Sequence, residues 1–310
     1  MKSQRDAFGE ALLEQGKINE KLFVVNADLA GPTKSIYFTK EFPDREIDVG
    51  IAEQNAIGVT AGLGKSGLRP FFVSFAVFTA SNLDQVRMSV AYSKAPAVLV
   101  GTHAGLIGKD GASHQALEDV ANMSSLPGMN VFQPADAIET KQIVEYLANN
   151  DKMAYLRLSR HPQEEVHDSE YKFEFNKADS LLEHKNSKIG IYSTGYLSTH
   201  ALETAKMLSK QGLETDVLNF STLSPIDKDS IINYAKGKDY IFTLEDHNIN
   251  GGLGSRVSEV IAENGLGVKV KRYGMHGFGE SGSPEDLYVK FGLDTQSLVN
   301  RIKDNIYIKK

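Results

Sequence analysis

Short continuous apolar runs alternate along this chain with stretches of helical spacing, and that alternation narrows the folds open to it. Leu22 to Asn26, Pro70 to Phe78 and Ala97 to Thr102 are such runs, with shorter ones at Ile47 to Ile51, Asn130 to Gln133 and Ala154 to Leu158. Strands that are apolar on both faces belong inside a parallel sheet. Helical patterns fall between them. One is capped by Ser3 and carries Phe8, Leu12 and Leu13 on one face; another begins at Glu53 and continues through Ile57, Thr60, Ala61 and Leu63. Further helices are predicted from about Asn82 to Tyr92 and over Ile138–Leu147, and Gly31-Pro32 predicts a loop. This order predicts a mostly parallel sheet covered by helices on both faces.

From Arg160 to about Lys185 the character changes. His161-Pro162-Gln163-Glu164-Glu165 is polar and turn-prone, a candidate linker. A second α/β unit then begins, with strands at Ile189 to Tyr192, Thr215 to Phe220, Tyr240 to Glu245 and Val268 to Tyr273. Helices are predicted near Ser198–Lys210, Asp227–Lys236, Ser255–Glu263, Glu285–Phe291 and Thr295–Ile306. The expected class is α/β with two domains, 1–168 and 169–310, each a mostly parallel sheet flanked by helices.

Composition removes several functions. A net charge of −6 without a basic block argues against nucleic acid as the main partner. The absence of cysteine excludes a disulfide framework and thiolate metal ligands. No apolar run reaches membrane-spanning length. Met1-Lys2-Ser3-Gln4-Arg5-Asp6 offers no apolar leader, so a cytoplasmic location is expected.

Several polar and aromatic residues could carry chemistry, each with a plainer alternative. Glu53 stands between a strand end and a helix start, where α/β sheets put their sites. A carboxylate there also favours the helix dipole by about 0.3–1 kcal/mol. Phe75 and Phe78 are either core aromatics or a flat face for a planar ligand. His103 follows a buried strand. His114 lies in the loop Asp110-Gly111-Ala112-Ser113-His114-Gln115; loop histidines are usually solvated, but two imidazoles and Asp110 bracketing one glycine-rich loop suit a polyhydroxylated ligand. Arg160 is either a linker ion pair or an anion ligand. Gly251-Gly252-Leu253-Gly254-Ser255 either holds an anion at a helix start or makes a tight, closely packed turn.

The ordered series Asp48-Val49-Gly50-Ile51-Ala52-Glu53-Gln54, Phe72-Val73-Ser74-Phe75-Ala76-Val77-Phe78, Asp84-Gln85-Val86-Arg87 and Gly108-Lys109-Asp110-Gly111-Ala112-Ser113-His114-Gln115 resembles the C-terminal half of transketolases and of deoxyxylulose-phosphate synthases. The resemblance runs from about Asp28 to about Leu293. It implies a pyrimidine-binding domain for thiamin diphosphate followed by a transketolase C-terminal domain. Glu53 matches the activating acid, expected to be buried with a raised pKa so that it stays protonated. Phe75 matches the ring that stacks on the aminopyrimidine, with Phe78 and Ile51 beside the cofactor. Ser81 stands where transketolases often have Tyr. His103 and His114 match residues that contact the donor sugar and help move its protons, and Asp110 matches one that reads a hydroxyl. Ala112-Ser113 replaces a frequent Pro-Thr. Arg160 matches a phosphate ligand, Asp28 an Asp near the substrate channel, and Thr33 loosely matches a phosphate-contacting Ser.

The resemblance also implies a partner. The family's Gly-Asp-Gly segment, which with a following Asn holds the diphosphate and Mg²⁺, does not occur in this chain. The expectation is the small subunit of a split transketolase. It would work on sugar phosphates with an N-terminal-half subunit that brings the Mg²⁺ ligands, as a dimer of heterodimers. Alternatives are a deoxyxylulose-phosphate synthase-like subunit, a 2-oxo-acid dehydrogenase beta-type subunit, or a regulatory subunit without chemistry.

Overall fold

The computed structural model describes residues 1–307. The first sheet has seven strands in the order Thr222–Ser224, Asn130–Phe132, Ala154–Arg157, Val98–Thr102, Arg69–Phe75, Leu22–Asn26 and Glu46–Asp48. All neighbours are parallel except the first pair. The second sheet has five strands, Lys269–Met275, Tyr240–Asn248, Ile189–Ser193, Thr215–Asn219 and Asp179–Leu182, of which only the last pairs antiparallel. Val98–Thr102 and Ile189–Ser193 are buried along their whole length, as runs apolar on both faces require. Helices cover both sheets. Among the described residues no helix is long and apolar enough to cross a membrane.

Helix Gln4–Ile18 is capped by Ser3, whose side chain accepts from the Asp6 amide. Three expectations need correction. The strand predicted to reach Phe78 ends at Phe75, and Ala76–Ser81 is helical. The Gly31-Pro32 loop is a helical turn, Ala30–Thr33. Pro32 sits in its first turn, where no amide proton is needed. The candidate linker is strapped down. Lys2–Ser3 pairs with Pro162–Gln163, the Asp136 carboxylate accepts from the amides of Val166 and His167, and Gln142 bonds the backbone of Tyr171 and Phe173. The sequence also gave no sign of Asp179–Leu182, a half-exposed strand, or of Thr222–Ser224, which leaves the second unit to pair at the edge of the first sheet.

Candidate active site

Most of the sequence-selected residues lie at or just past the carboxyl edge of the first sheet, where the parallel strands end in register. Asn26 faces Asp48 and Val73, Phe75 faces Thr102, and Gly101 faces Arg157. The Asp48 carboxylate accepts from the amides of Gly50 (2.8 Å) and Asp28 (3.1 Å), tying two strand-end loops together. Asp28 and His103 both hold φ 58°. Left-handed backbone in residues other than glycine costs of order 1–3 kcal/mol and tends to cluster at functional sites.

Glu53 opens helix Glu53–Lys65 at this edge. The helix packs by Ala56, Ile57, Thr60 and Ala61, so its first turn projects past the core. Glu53 is therefore half-buried, not buried as expected, and Ile51 beside it is 83% exposed. Asp28 is exposed.

The helical turn after Phe75 folds Phe78 back onto it, with ring centroids 5.6 Å apart and planes 12° off parallel. The His103 ring stacks on Phe75 at 3.9 Å, and the His114 ring meets Phe78 edge-on at 5.5 Å. Both phenyl rings are half-buried, leaving part of this aromatic surface accessible.

Arg5 completes the cluster. Its Nη1 donates to the Pro32 carbonyl at 3.0 Å and lies 3.1 Å from His103 Nε2. Guanidinium only donates, so Nε2 accepts and the ring proton belongs on Nδ1. Nδ1 lies 2.9 Å from Thr102 Oγ1, which donates in turn to the Ser74 carbonyl at 3.2 Å. Burial, with the nearby charges of Arg5 and Arg160, lowers the His103 pKa to about 3, so the ring is neutral at pH 7. The Arg5 Nε is buried without a hydrogen-bond partner. No sequence signal pointed to Arg5, whose bond to His103 spans 98 positions.

Arg160 and Asp110, assigned separate roles from sequence, pair with each other. Both are partly exposed, so the pair contributes at most about 1 kcal/mol. His161 Nε2 lies 3.1 Å from the Ile107 carbonyl on the same loop. Thr33 does not reach the site. It is buried, and its hydroxyl donates to the Leu29 carbonyl at 2.7 Å.

Gly251–Ser255 follows the turn-and-packing alternative. The amides of Leu253 and Gly254 already donate to the buried Glu245 carboxylate at 2.8 and 2.9 Å. A Cβ on Gly252 would lie 1.8 Å from that carboxylate. Burial raises the Glu245 pKa to about 7 despite the two amides.

Beneath the site lies a fully buried Arg157. It donates to Asp119 (2.9 Å), Asp246 (2.8 Å) and the carbonyls of Ala116 (3.0 Å) and Asp246 (3.2 Å), and Tyr155 donates to Asp119 at 2.7 Å. A charged residue inside the apolar run Tyr155-Leu156-Arg157-Leu158 was the signal available for it. Among the described residues no three His, Asp or Glu side chains gather as a metal site.

The family "Transketolase, pyrimidine binding domain" matches residues 1–163, and "Transketolase, C-terminal domain" matches residues 178–298. The "Putative transketolase C-terminal section" of Methanocaldococcus jannaschii is 39% identical over 98% of this chain and 96% of its own length. The 6-deoxy-6-sulfo-D-fructose transketolase subunit SqwH of Clostridium sp. (strain MSTE9) is 34% identical over 95% of this chain and 92% of its own. A solved structure described as a split gene transketolase, inactive beta4 tetramer, superposes over both whole chains with a TM-score of 0.91 at 38% identity. The chain spans about half the length of undivided transketolases, 48% of the rat protein at 35% identity. With its pyrimidine-binding domain followed by a transketolase C-terminal domain, this chain belongs to the transketolase family.

Proposed function

We propose that the chain is one subunit of a split, thiamin-diphosphate-dependent transketolase that moves a two-carbon ketol unit from a ketose phosphate to an aldose phosphate. Residues 1–168 form its pyrimidine-binding unit and 169–310 its C-terminal unit. An N-terminal-half subunit supplies the diphosphate and Mg²⁺ ligands, and two copies of each assemble, since closed twofold assemblies are the commonest. The observation that carries this reading is the meeting of Phe75, Phe78, His103 and His114 in one cluster at the carboxyl edge of the sheet.

These residues fit the pyrimidine end of the cofactor: a partly accessible aromatic surface and a half-buried carboxyl at a helix start. Phe75, Phe78 and Ile51 would hold the ring, and Glu53 would hydrogen-bond a ring nitrogen. When bound, the cofactor supplies the carbon nucleophile that ketol transfer needs. The partner covers Glu53 and Ile51, excludes water there and brings Glu53 the burial this chain does not give it. His114 hydrogen-bonds the sugar's hydroxyls, and neutral His103 does so once Arg5 turns from its Nε2 toward the anionic group, with Asp28 at the channel. Arg5, Arg160 and Asp110 make a polar end in which the two guanidiniums attract an anionic group. Phosphate fits, and so does sulfonate, the group in the name of the Clostridium relative.

The test is calorimetric titration of the isolated chain with thiamin diphosphate and Mg²⁺, repeated with the N-terminal-half subunit, followed by turnover assays. Aromatic stacking and one hydrogen bond supply a few kcal/mol, so the chain alone should bind in roughly the millimolar range. The complex should bind tightly and accept a ketose phosphate or a sulfosugar, but not pyruvate. Micromolar binding or ketol transfer by the isolated chain would sink the split-enzyme reading.

A further inference from the structure

The loop that carries Asp110 and His114 is gripped by the second domain through a set of glycine contacts. A Cβ on Gly105 would lie 1.9 Å from the Asp246 carboxylate, one on Gly108 2.9 Å from the Gly282 carbonyl, and one on Gly111 2.6 Å from Ser281 Oγ. All three glycines have positive φ, so backbone conformation and space both exclude a side chain. In the other direction, a Cβ on Gly279 would lie 1.7 Å from Gln115 Oε1. Gln115 is 2% exposed, and its Nε2 donates to the Glu280 carbonyl at 2.9 Å. The two loops thus touch backbone to backbone, with the Gln115 carboxamide hooked under the second domain's 279–282 segment.

We propose that the second domain is a positioning element of the active site. Its 279–282 segment, acting through Gln115, sets where Asp110 and His114 stand. The inference rests on the reading of those two residues as sugar contacts. It gives this domain a part in turnover that its own side chains, which reach no sugar-contacting position assigned above, would not suggest. Gly279 is the informative position because its φ is not in the left-handed region, so only space forbids a side chain. The atom in the way is the end of a side chain. Gly279→Ala therefore pushes the carboxamide aside and releases the hook, where a backbone clash would disrupt the fold.

The experiment compares Gly279→Ala, Gln115→Ala and the double variant in the complex with the N-terminal-half subunit. Hydrogen exchange of residues 105–115 is measured in parallel on the full chain alone. Each single variant should lower kcat by about 10- to 100-fold, as displacement of about 1 Å does at catalytic distances. Apparent cofactor affinity should fall much less than kcat, because Glu53 and Phe75 lie on other elements and the loop meets Phe78 only through the His114 ring. The double variant should be no worse than either single one, since both break one contact. Exchange in 105–115 should rise in all three variants while Tm holds. Unchanged kcat, or additive losses in the double variant, would overturn the proposal. If Gly279→Ala does not fold, Gln115→Ala, which only removes atoms, carries the same test. If the unmodified complex transfers no ketol unit, the proposed function fails, and the exchange measurement still decides whether the interlock holds the loop.

Discussion

Replacing Arg157 with leucine tests whether the buried network beneath the site holds the two domains together. The guanidinium side chain is 2% exposed, and its partners Asp119 and Asp246 are 0% and 2% exposed. One cation thus serves two carboxylates, one on a helix of the first domain and one on a strand of the second. Removing one member of a buried ion pair typically costs about 3–5 kcal/mol, because the remaining charge has no solvent to return to. Here two carboxylates lose their one cation and, with two carbonyls, a donor each, while Tyr155 still donates to Asp119 and Gln133 and Tyr288 to Asp246; the loss of the shared cation puts Arg157→Leu at about 3–5 kcal/mol. Against a net stability of about 5–15 kcal/mol for an ordinary domain, the variant should be barely folded. Denaturant unfolding of the isolated chain at pH 7, followed by circular dichroism, measures the loss. Adding Asp119→Asn and Asp246→Asn should restore at least half of it by removing the uncompensated charges. A loss below about 1 kcal/mol, or no recovery in the triple variant, would refute the charge argument.

Three further outcomes are expected. In the complex, Glu53→Gln should lower ketol transfer about 10²- to 10⁴-fold, the usual range for an acid–base group, with circular dichroism unchanged; near-normal turnover would remove Glu53 from that role. Arg160→Ala should raise KM for phosphorylated donors more than for unphosphorylated ones in steady-state assays, and equal effects would make the residue structural. For His167, burial alone would lower the pKa, but hydrogen bonds with Asp136 and Asp179 push it up from 6.5 to about 10. A raised pKa gives stability that is full below pH 6.5 and lost as pH climbs to about 10, so His167→Gln should destabilise most in the acid range and least near pH 10. A flat difference in Tm across that window would contradict the assignment.

Much of the first sheet was readable because its central strands are apolar on both faces, a pattern that few other environments tolerate. Leu22–Asn26 came out with its observed bounds. Ala76–Phe78 did not, since a short apolar run has no period to separate strand from helix. The edge strands Asp179–Leu182 and Thr222–Ser224 escaped because their pairing, not their composition, makes them strands. At the site, motif residues on strand ends and loops could be named in advance, and the structure brings Phe75, Phe78, His103 and His114 together. Arg5 could not be named, because its value lies in a contact with a residue far along the chain and nothing nearby in sequence marks it. The burial expected of Glu53 came from the resemblance alone, and within this chain the residue, at a helix start, is only half-buried.

The antiparallel strand Thr222–Ser224 has a consequence for anyone dividing this protein. A fragment ending near residue 168 would keep the residues matched to the pyrimidine-binding domain and lose the strand that covers Asn130–Phe132. Val131 and Phe132 are fully buried in the intact chain. The cut would turn an interior strand into a bare edge with unpaired amides and carbonyls, open to the same edge of another copy. Such a fragment should multimerise or precipitate during purification even if every strand in it folds. A usable fragment would have to carry the 222–224 segment with it, grafted through a connection after residue 168 or supplied as a separate peptide.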